Sequence, residues 1–233
     1  MHSIPTQIAH VRNRIAASAR SAHRRPEDVR LVAVSKARSA AEIAAAHDAG
    51  IADFGENYLQ EALPKIAALS AYAIAWHFVG AIQSNKTRDI ATHFQWVHTV
   101  DRAKIARRLS EQRPAEADAL DVLVQVNVDD EPQKAGVSCD EAAALAAEVA
   151  TLPRLRLRGL MAIPKPHDDP HAQRAAFEAM SELYAHARPA GTPHWDTLSM
   201  GMTDDYEFAI EAGSTLVRIG TAIFGARPAR AAS

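Results

Sequence analysis

Eight short apolar runs, each followed by helix-starting signals, recur along the 233-residue chain and constrain its fold more than any other feature. The first, Leu31-Val32-Ala33-Val34-Ser35-Lys36, is continuously apolar up to its polar end and has β-branched residues at alternate positions, as expected of a parallel strand covered on both faces. Ser39-Ala40-Ala41-Glu42 follows as a capping box, and the Ala-rich helix it opens, 39–49, stops at Gly50. Further strands are read at Ile51–Gly55, Trp76–Gly80, Phe94–Val100, Val122–Val128, Leu155–Met161, Asp196–Ser199 and Ser214–Ile219. Between them lie helical stretches with Asp101 as a cap, a second capping box at Ser138-Cys139-Asp140-Glu141, a long helix from Pro170 to Ala187 and a short one opening at Asp204, with Glu207 three positions on. Eight strands alternating with helices predict an α/β chain folded as a (β/α)8 TIM barrel, with an open doubly wound sheet as the alternative.

In a barrel every loop that follows a strand opens on one face, so the residues placed there should form one chemistry. They are Lys36, Asn57, Ser84, Asn85, Asn127, Ser199, Gly201, Arg218, Gly220 and Thr221. The opposite loops are mostly Ala, Pro and Gly with scattered charge. Lys36 sits where the first strand gives way to a helix. An ammonium there is partly desolvated, which favours the free amine that attacks carbonyls; a solvated or salt-bridged surface lysine is the plainer reading.

Composition narrows the classes. No linker or low-complexity run divides the chain, so one domain covering 1–233 is expected, with 1–28 as an N-terminal helix and connection. A net charge of −2 and dispersed arginines give no general attraction to nucleic acid or membrane. Cys139 is the only cysteine, which rules out an internal disulfide and a cysteine-rich metal site; no metal is expected. The opening segment carries Arg12, Arg14, Arg20, Arg24 and Arg25 without an acid, as a transit peptide would. Ile4, Ile8, Val11 and Ile15 recur at helical spacing, so an amphipathic helix packed on the domain is the preferred reading. No secretory or membrane-length apolar stretch is present, and a cytoplasmic, monomeric protein is expected.

Two adjacent segments resemble an anion site. Ser199-Met200-Gly201-Met202-Thr203 precedes a helix N-terminus, and Ile219-Gly220-Thr221-Ala222 leaves the eighth strand with a glycine and a hydroxyl. Loops after strands seven and eight are the recurrent phosphate site of the barrel. A lysine across the mouth then suits a phosphate that bears an aldehyde, and pyridoxal 5′-phosphate (PLP) fits, with Lys36 forming the Schiff base. Arg218 is two residues from the cradle and can face the pyridine nitrogen; a permanently protonated guanidinium would leave that nitrogen neutral and make the ring a poor electron sink. A carboxylate-paired Arg218, for instance with Glu56, is the competing reading.

The chain resembles the pyridoxal phosphate homeostasis (YggS/PROSC) family. The resemblance is carried by Leu31–Lys36, Phe54-Gly55-Glu56-Asn57-Tyr58, Trp76–Gly80 with Gln83-Ser84-Asn85-Lys86, Leu157–Met161, Leu198–Asp205 and Val217–Gly225, which span nearly the whole chain. It implies a barrel like the alanine racemase N-terminal domain with an extra N-terminal helix, PLP on Lys36, phosphate held at Ser199, Met200, Gly201 and Met202 and at Gly220 and Thr221, and Arg218 at the ring nitrogen. Asn57, Ser84 and Asn85 complete the expected cofactor contacts. The chain reaches Ser233 soon after strand eight, leaving no room for the second domain that supplies the opposing acid/base group in racemases. Tyr58, His77 and Tyr206 are the conceivable substitutes. No catalytic residue is therefore expected, and the resemblance implies a carrier that maintains PLP levels and hands the cofactor to apo-PLP enzymes. A low-activity amino-acid racemase and a Schiff-base aldolase acting on a sugar phosphate are the alternatives. Lys134, after strand five, is read as a solvated loop residue or as an aid to PLP release.

Overall fold

The computed structural model describes residues 3–226 and shows a closed barrel of eight parallel strands in the order β1 to β8. The strands are β1 (Arg30–Val34), β2 (Asp53–Glu56), β3 (Ala75–Phe78), β4 (Trp96–Val100), β5 (Leu120–Val126), β6 (Leu155–Ala162), β7 (Thr197–Ser199) and β8 (Leu216–Ile219). Closure is made by β1 on β8, with Val32 opposite Arg218 and Ala33 opposite Ile219. The open-sheet alternative is thereby excluded. The residues around Ser233 that bear on the chain's end lie outside those described.

Helices α1 (Ile4–Ser21), α2 (Ala40–Asp48), α3 (Leu59–Ala68), α4 (Thr87–His93), α5 (Ala103–Gln112), α6 (Cys139–Ala150), α7 (Pro170–His186), α8 (Tyr206–Glu211) and α9 (Thr221–Phe224) complete the fold. Both capping boxes form, Ser39 with Glu42 and Ser138 with Glu141. Helix α1 buries Ile8, Val11 and Ile15, as its spacing predicts. Arginines of this helix and of the segment after it tie it to the rest of the fold: Arg12 donates to the Gly50 carbonyl at 2.6 Å, Arg14 pairs with Glu207 at 2.9 Å, and Arg24, beyond the helix, bonds the carbonyls of Ile210 and Ser214. The basic character of this segment thus has a structural use.

Three local expectations need correction. Asp101 does not cap α5; the residue before that helix is Arg102, and the Asp101 carboxylate takes the Arg102 guanidinium at 2.6 Å. Asp204 and Glu207 do not cap α8, because Asp205 bonds the Met202 N–H at 2.6 Å while Glu207 faces Arg14. Gly220-Thr221 is not a plain loop but the start of α9, whose first turn is closed by Ile223 and Phe224 N–H bonds to the Gly220 carbonyl.

The main apolar core lies between the barrel and its helices. Inside the barrel the apolar cluster is small: Trp96, Leu123 and Met161, with Ile163 against it. Val32, Val34 and Val79 meet opposite Gly55, and polar residues occupy much of the remaining interior. Because successive side chains of a strand alternate in direction, Asp53 and His77, Trp96 and His98, Ser199 and Arg218 all fall on the inward face. Among the described residues no helix is long and apolar enough to cross a membrane.

Candidate functional site

The loops that follow β1, β2, β3, β6, β7 and β8 enclose a cleft of ≈ 260 Å³ at the barrel's C-terminal end. Lys36, Asn57, Met202, Arg218, Gly220 and Thr221 of the expected site line it, as do Thr203, Asp204 and Arg38. Ser84, Asn85, Ser199, Met200 and Gly201 are not part of its wall. Ser84 and Asn85 lie on a short 3-10 turn before α4, and the Ser84 carbonyl accepts from Thr87 and Arg108.

Lys36 is half-buried in the turn after β1, two residues beyond the strand. That turn is fastened from behind. The Ser35 N–H donates to the Gly55 carbonyl at 2.9 Å, and its hydroxyl donates to Glu56 Oε1 at 2.6 Å. Lys65 of α3 reaches both the Ser35 carbonyl at 2.9 Å and Glu56 Oε1 at 2.8 Å. Glu61 accepts the Ala37 N–H at 3.0 Å, holding that residue at a φ of 58°. Glu56 is fully buried, and burial raises its carboxyl pKa against the pull of Lys65 and Ser35. Glu56 therefore belongs to Lys65, and the alternative pairing with Arg218 is ruled out.

Across the cleft, Arg218 is buried in the barrel, with no carboxylate of the described residues within ion-pair distance. One terminal nitrogen donates to Ser199 Oγ at 2.7 Å and the other to the Ala162 carbonyl at 3.0 Å. Burial pushes its pKa down to about 10, with Asp205 opposing, so the guanidinium stays charged at neutral pH. Ser199 is spent on this contact. The hydroxyls at the seventh and eighth loops are instead those of Thr203 and Thr221, and Thr203 Oγ1 accepts the Ala222 N–H at 3.4 Å, joining the two loops.

Glycines let these loops come close. A Cβ on Gly201, which has a φ of +93°, would lie 2.6 Å from the Ala209 Cβ and 2.9 Å from the Tyr206 Cα, so only glycine seats the Thr203 loop against α8. A Cβ on Gly220 would stand 3.1 Å from the Val34 carbonyl oxygen. Asn57 lines the same cleft, and its buried Oδ1 has no hydrogen-bond partner among the described residues. An amide, an amine, a fixed guanidinium and two threonine-bearing loops match the oxygens, aldehyde and ring nitrogen of PLP, so the residues present fit that group.

The other residues weighed for acid/base work lie elsewhere. Tyr58 is 59% exposed beside the mouth. The Tyr206 hydroxyl is buried without a partner among the described residues, and its ring carries the Arg14 guanidinium 5.4 Å away. His77 is buried inside the barrel, stacked on Trp96. Lys134 is held by Glu131 at 3.1 Å and Asp129 at 3.6 Å.

Burial lowers the pKa of His77 and drives that of His98 well below the ordinary imidazole value of 6.5. The unfolded chain takes up protons there that the folded one refuses. Stability from these rings is thus complete above the unfolded value and falls as pH drops toward the folded ones, by up to about 1.4 kcal/mol per pH unit and ring. Urea unfolding at about pH 7 and about pH 5.5 checks this; equal or greater stability in acid contradicts it.

A lysine in the turn after β1, an arginine on β8 and hydroxyl-bearing loops after β7 and β8 make this a (β/α)8 barrel with a binding site at the C-terminal ends of its strands. The family model described as alanine racemase, N-terminal domain, matches residues 7–228, and the chain belongs to that family. A Pseudomonas aeruginosa protein named pyridoxal phosphate homeostasis protein is 56% identical over 227 residues, covering 97% of both chains. PipY from Synechococcus elongatus, solved with PLP bound, is 33% identical with a TM-score of 0.77, over 91% of this chain and 100% of that one. Alanine racemase from Corynebacterium glutamicum shares the fold at a TM-score of 0.68 and 17% identity, over 98% of this chain and 64% of that one.

Proposed function

We propose that this chain binds PLP in the cleft as a Schiff base on Lys36 and serves PLP homeostasis as a carrier without turnover. The observation that carries the reading is that Lys36, Arg218, Thr203 and Thr221 line one cleft. Relatives named for PLP homeostasis and the PLP-bound PipY support it. When bound, PLP supplies an aldehyde that condenses with primary amines.

The chain's own residues divide the work. Lys36 presents its amine from a turn clamped by Glu56, Lys65 and Glu61. Thr203, Thr221 and the loops of Met202 and Gly220 receive the phosphate. Arg218 faces the ring nitrogen and, being charged, keeps a proton off it. Asn57 borders the ring, where its side-chain NH2 can donate to a ring oxygen. Tyr58, His77 and Tyr206 do not line the cleft, so none is set to take an α-proton opposite Lys36. The recipients we infer are apo-PLP enzymes, reached by a monomer in the cytoplasm; the lone Cys139 accords with a reducing compartment.

Incubation of the PLP-loaded protein with L-alanine in deuterated water, and separately with an apo-PLP enzyme, tests the carrier reading. Activation of the apo-enzyme without α-deuterium incorporation above that of free PLP is expected. Steady incorporation or racemisation overturns it in favour of a racemase.

A further inference from the structure

The barrel interior holds an unbroken line of side-chain hydrogen bonds that ends on Arg218. Asp53 Oδ1 lies 2.9 Å from His77 Nε2, and His77 Nδ1 lies 2.9 Å from His98 Nε2. His98 Nδ1 is 3.0 Å from Ser199 Oγ, which receives the Arg218 guanidinium at 2.7 Å. The links come from β2, β3, β4, β7 and β8, so the line crosses the barrel from its base to the cleft.

Elementary donor and acceptor counting fixes its direction. Arg218 only donates, so Ser199 accepts from it and has its own proton to give. Asp53 is a carboxylate with the Arg30 guanidinium 3.9 Å away, and only accepts. Between these ends, each neutral imidazole carries one proton. Ser199 then donates to His98 Nδ1, His98 Nε2 donates to His77 Nδ1, and His77 Nε2 donates to Asp53. The reverse direction would leave a ring nitrogen without a proton against the carboxylate. Burial opposes a second proton on either ring. The surroundings of His98 agree with a neutral ring, because Arg30 and Arg218 both repel charge on it; His77, stacked on Trp96 with centroids 5.3 Å apart, is kept neutral by its complete burial against the pull of Asp53.

We propose that Asp53 is the remote counter-charge of Arg218, and that Ser199, His98 and His77 are positioning residues holding the guanidinium through a one-way donor chain. Every dipole in the line turns its negative end toward Arg218, and aligned hydrogen bonds polarise one another. Asp205, the carboxylate that acts on Arg218 through space, lies beyond ion-pair distance and is engaged by the Met202 N–H. With one terminal nitrogen on Ser199 and the other on the Ala162 carbonyl, the guanidinium is held at two points where Arg218 lines the cleft. The consequence for the cofactor's ring nitrogen rests on the PLP reading above; the chain itself does not.

Long-range 15N–1H spectra of the 15N-labelled protein without PLP, at neutral pH, test the chain directly. Both His77 and His98 are expected protonated at Nε2 and bare at Nδ1. A proton on Nδ1 of either ring, or an imidazolium, overturns the proposal. In Asp53→Ala, whose backbone role in β2 is unchanged, both rings should become mixtures of tautomers; wild-type tautomers in that variant also overturn it. Ser199→Ala should weaken PLP roughly tenfold or more, the size of a lost charge-assisted hydrogen bond, although its side chain is not in the cleft wall. Unchanged affinity contradicts the positioning role. If the wild type takes up no PLP, the cofactor reading falls while the ring spectra still decide the chain.

Discussion

Replacing Glu56 by alanine is expected to lower the unfolding free energy by about 3–5 kcal/mol, the usual cost of stripping one partner from a buried ion pair. The Glu56 side chain is fully buried, and that of Lys65 is 11% exposed. Without the carboxylate, the Lys65 ammonium keeps the Ser35 carbonyl and a distant Glu61 oxygen at 4.0 Å, too little to offset its desolvation. The Ser35 hydroxyl loses its short bond as well and keeps only the Gly55 carbonyl at 3.4 Å. The pair itself is not a large source of stability, since burial raises the Glu56 pKa and opposes the charged form. A double variant, Glu56→Leu with Lys65→Met, should therefore recover most of the loss. The arrangement instead fixes geometry: both side chains hold the residue before Lys36, so Glu56→Ala should also lower the yield of cofactor attachment at temperatures where the fold persists. Urea unfolding of the two variants checks the account. A loss below about 1 kcal/mol, as for an exposed pair, contradicts it.

The barrel was legible because each buried parallel strand shows as an apolar run, and the runs are spaced by helix caps. Most of the cleft was legible for the same reason: residues just after strand ends must share one face, which placed Lys36, Asn57 and Thr221 together, with Arg218 near the end of β8. Ser199 shows where that rule misleads. As the last residue of strand seven and the first of the anion segment it is expected to donate to phosphate, but the strand's alternation turns it inward to Arg218. Thr203 stands in the same segment but carries no sequence signal of its own, because the packing of Gly201 on α8 is what sets the Thr203 loop against the cleft. The line from Asp53 to His98 was hidden more deeply. Its members are isolated polar residues in different strands, and the parallel register that sets Gly55 beside His77 and His77 beside Trp96 is not written in any one of them. Helix α9 was missed because a Gly-Thr pair is ordinary turn material, and a single turn of helix has no periodicity to read.

Removal of the Lys36 amine is expected to have the largest effect on function. Lys36 lies outside β1 and is half-buried, so Lys36→Ala should keep the fold, as judged by circular dichroism. The threonine loops and Arg218 still offer contacts to phosphate and ring, so reversible PLP binding should persist at reduced affinity. Covalent attachment should vanish, because in this account no other amine meets the aldehyde. The direct measurement is borohydride reduction of PLP-loaded wild type and Lys36→Ala, followed by mass spectrometry of proteolytic peptides. The account predicts one phosphopyridoxyl group, on the peptide that contains Lys36, and none in the variant. An adduct of undiminished yield in the variant, at Lys134 or any other lysine, would contradict the assignment of the cleft as the PLP site.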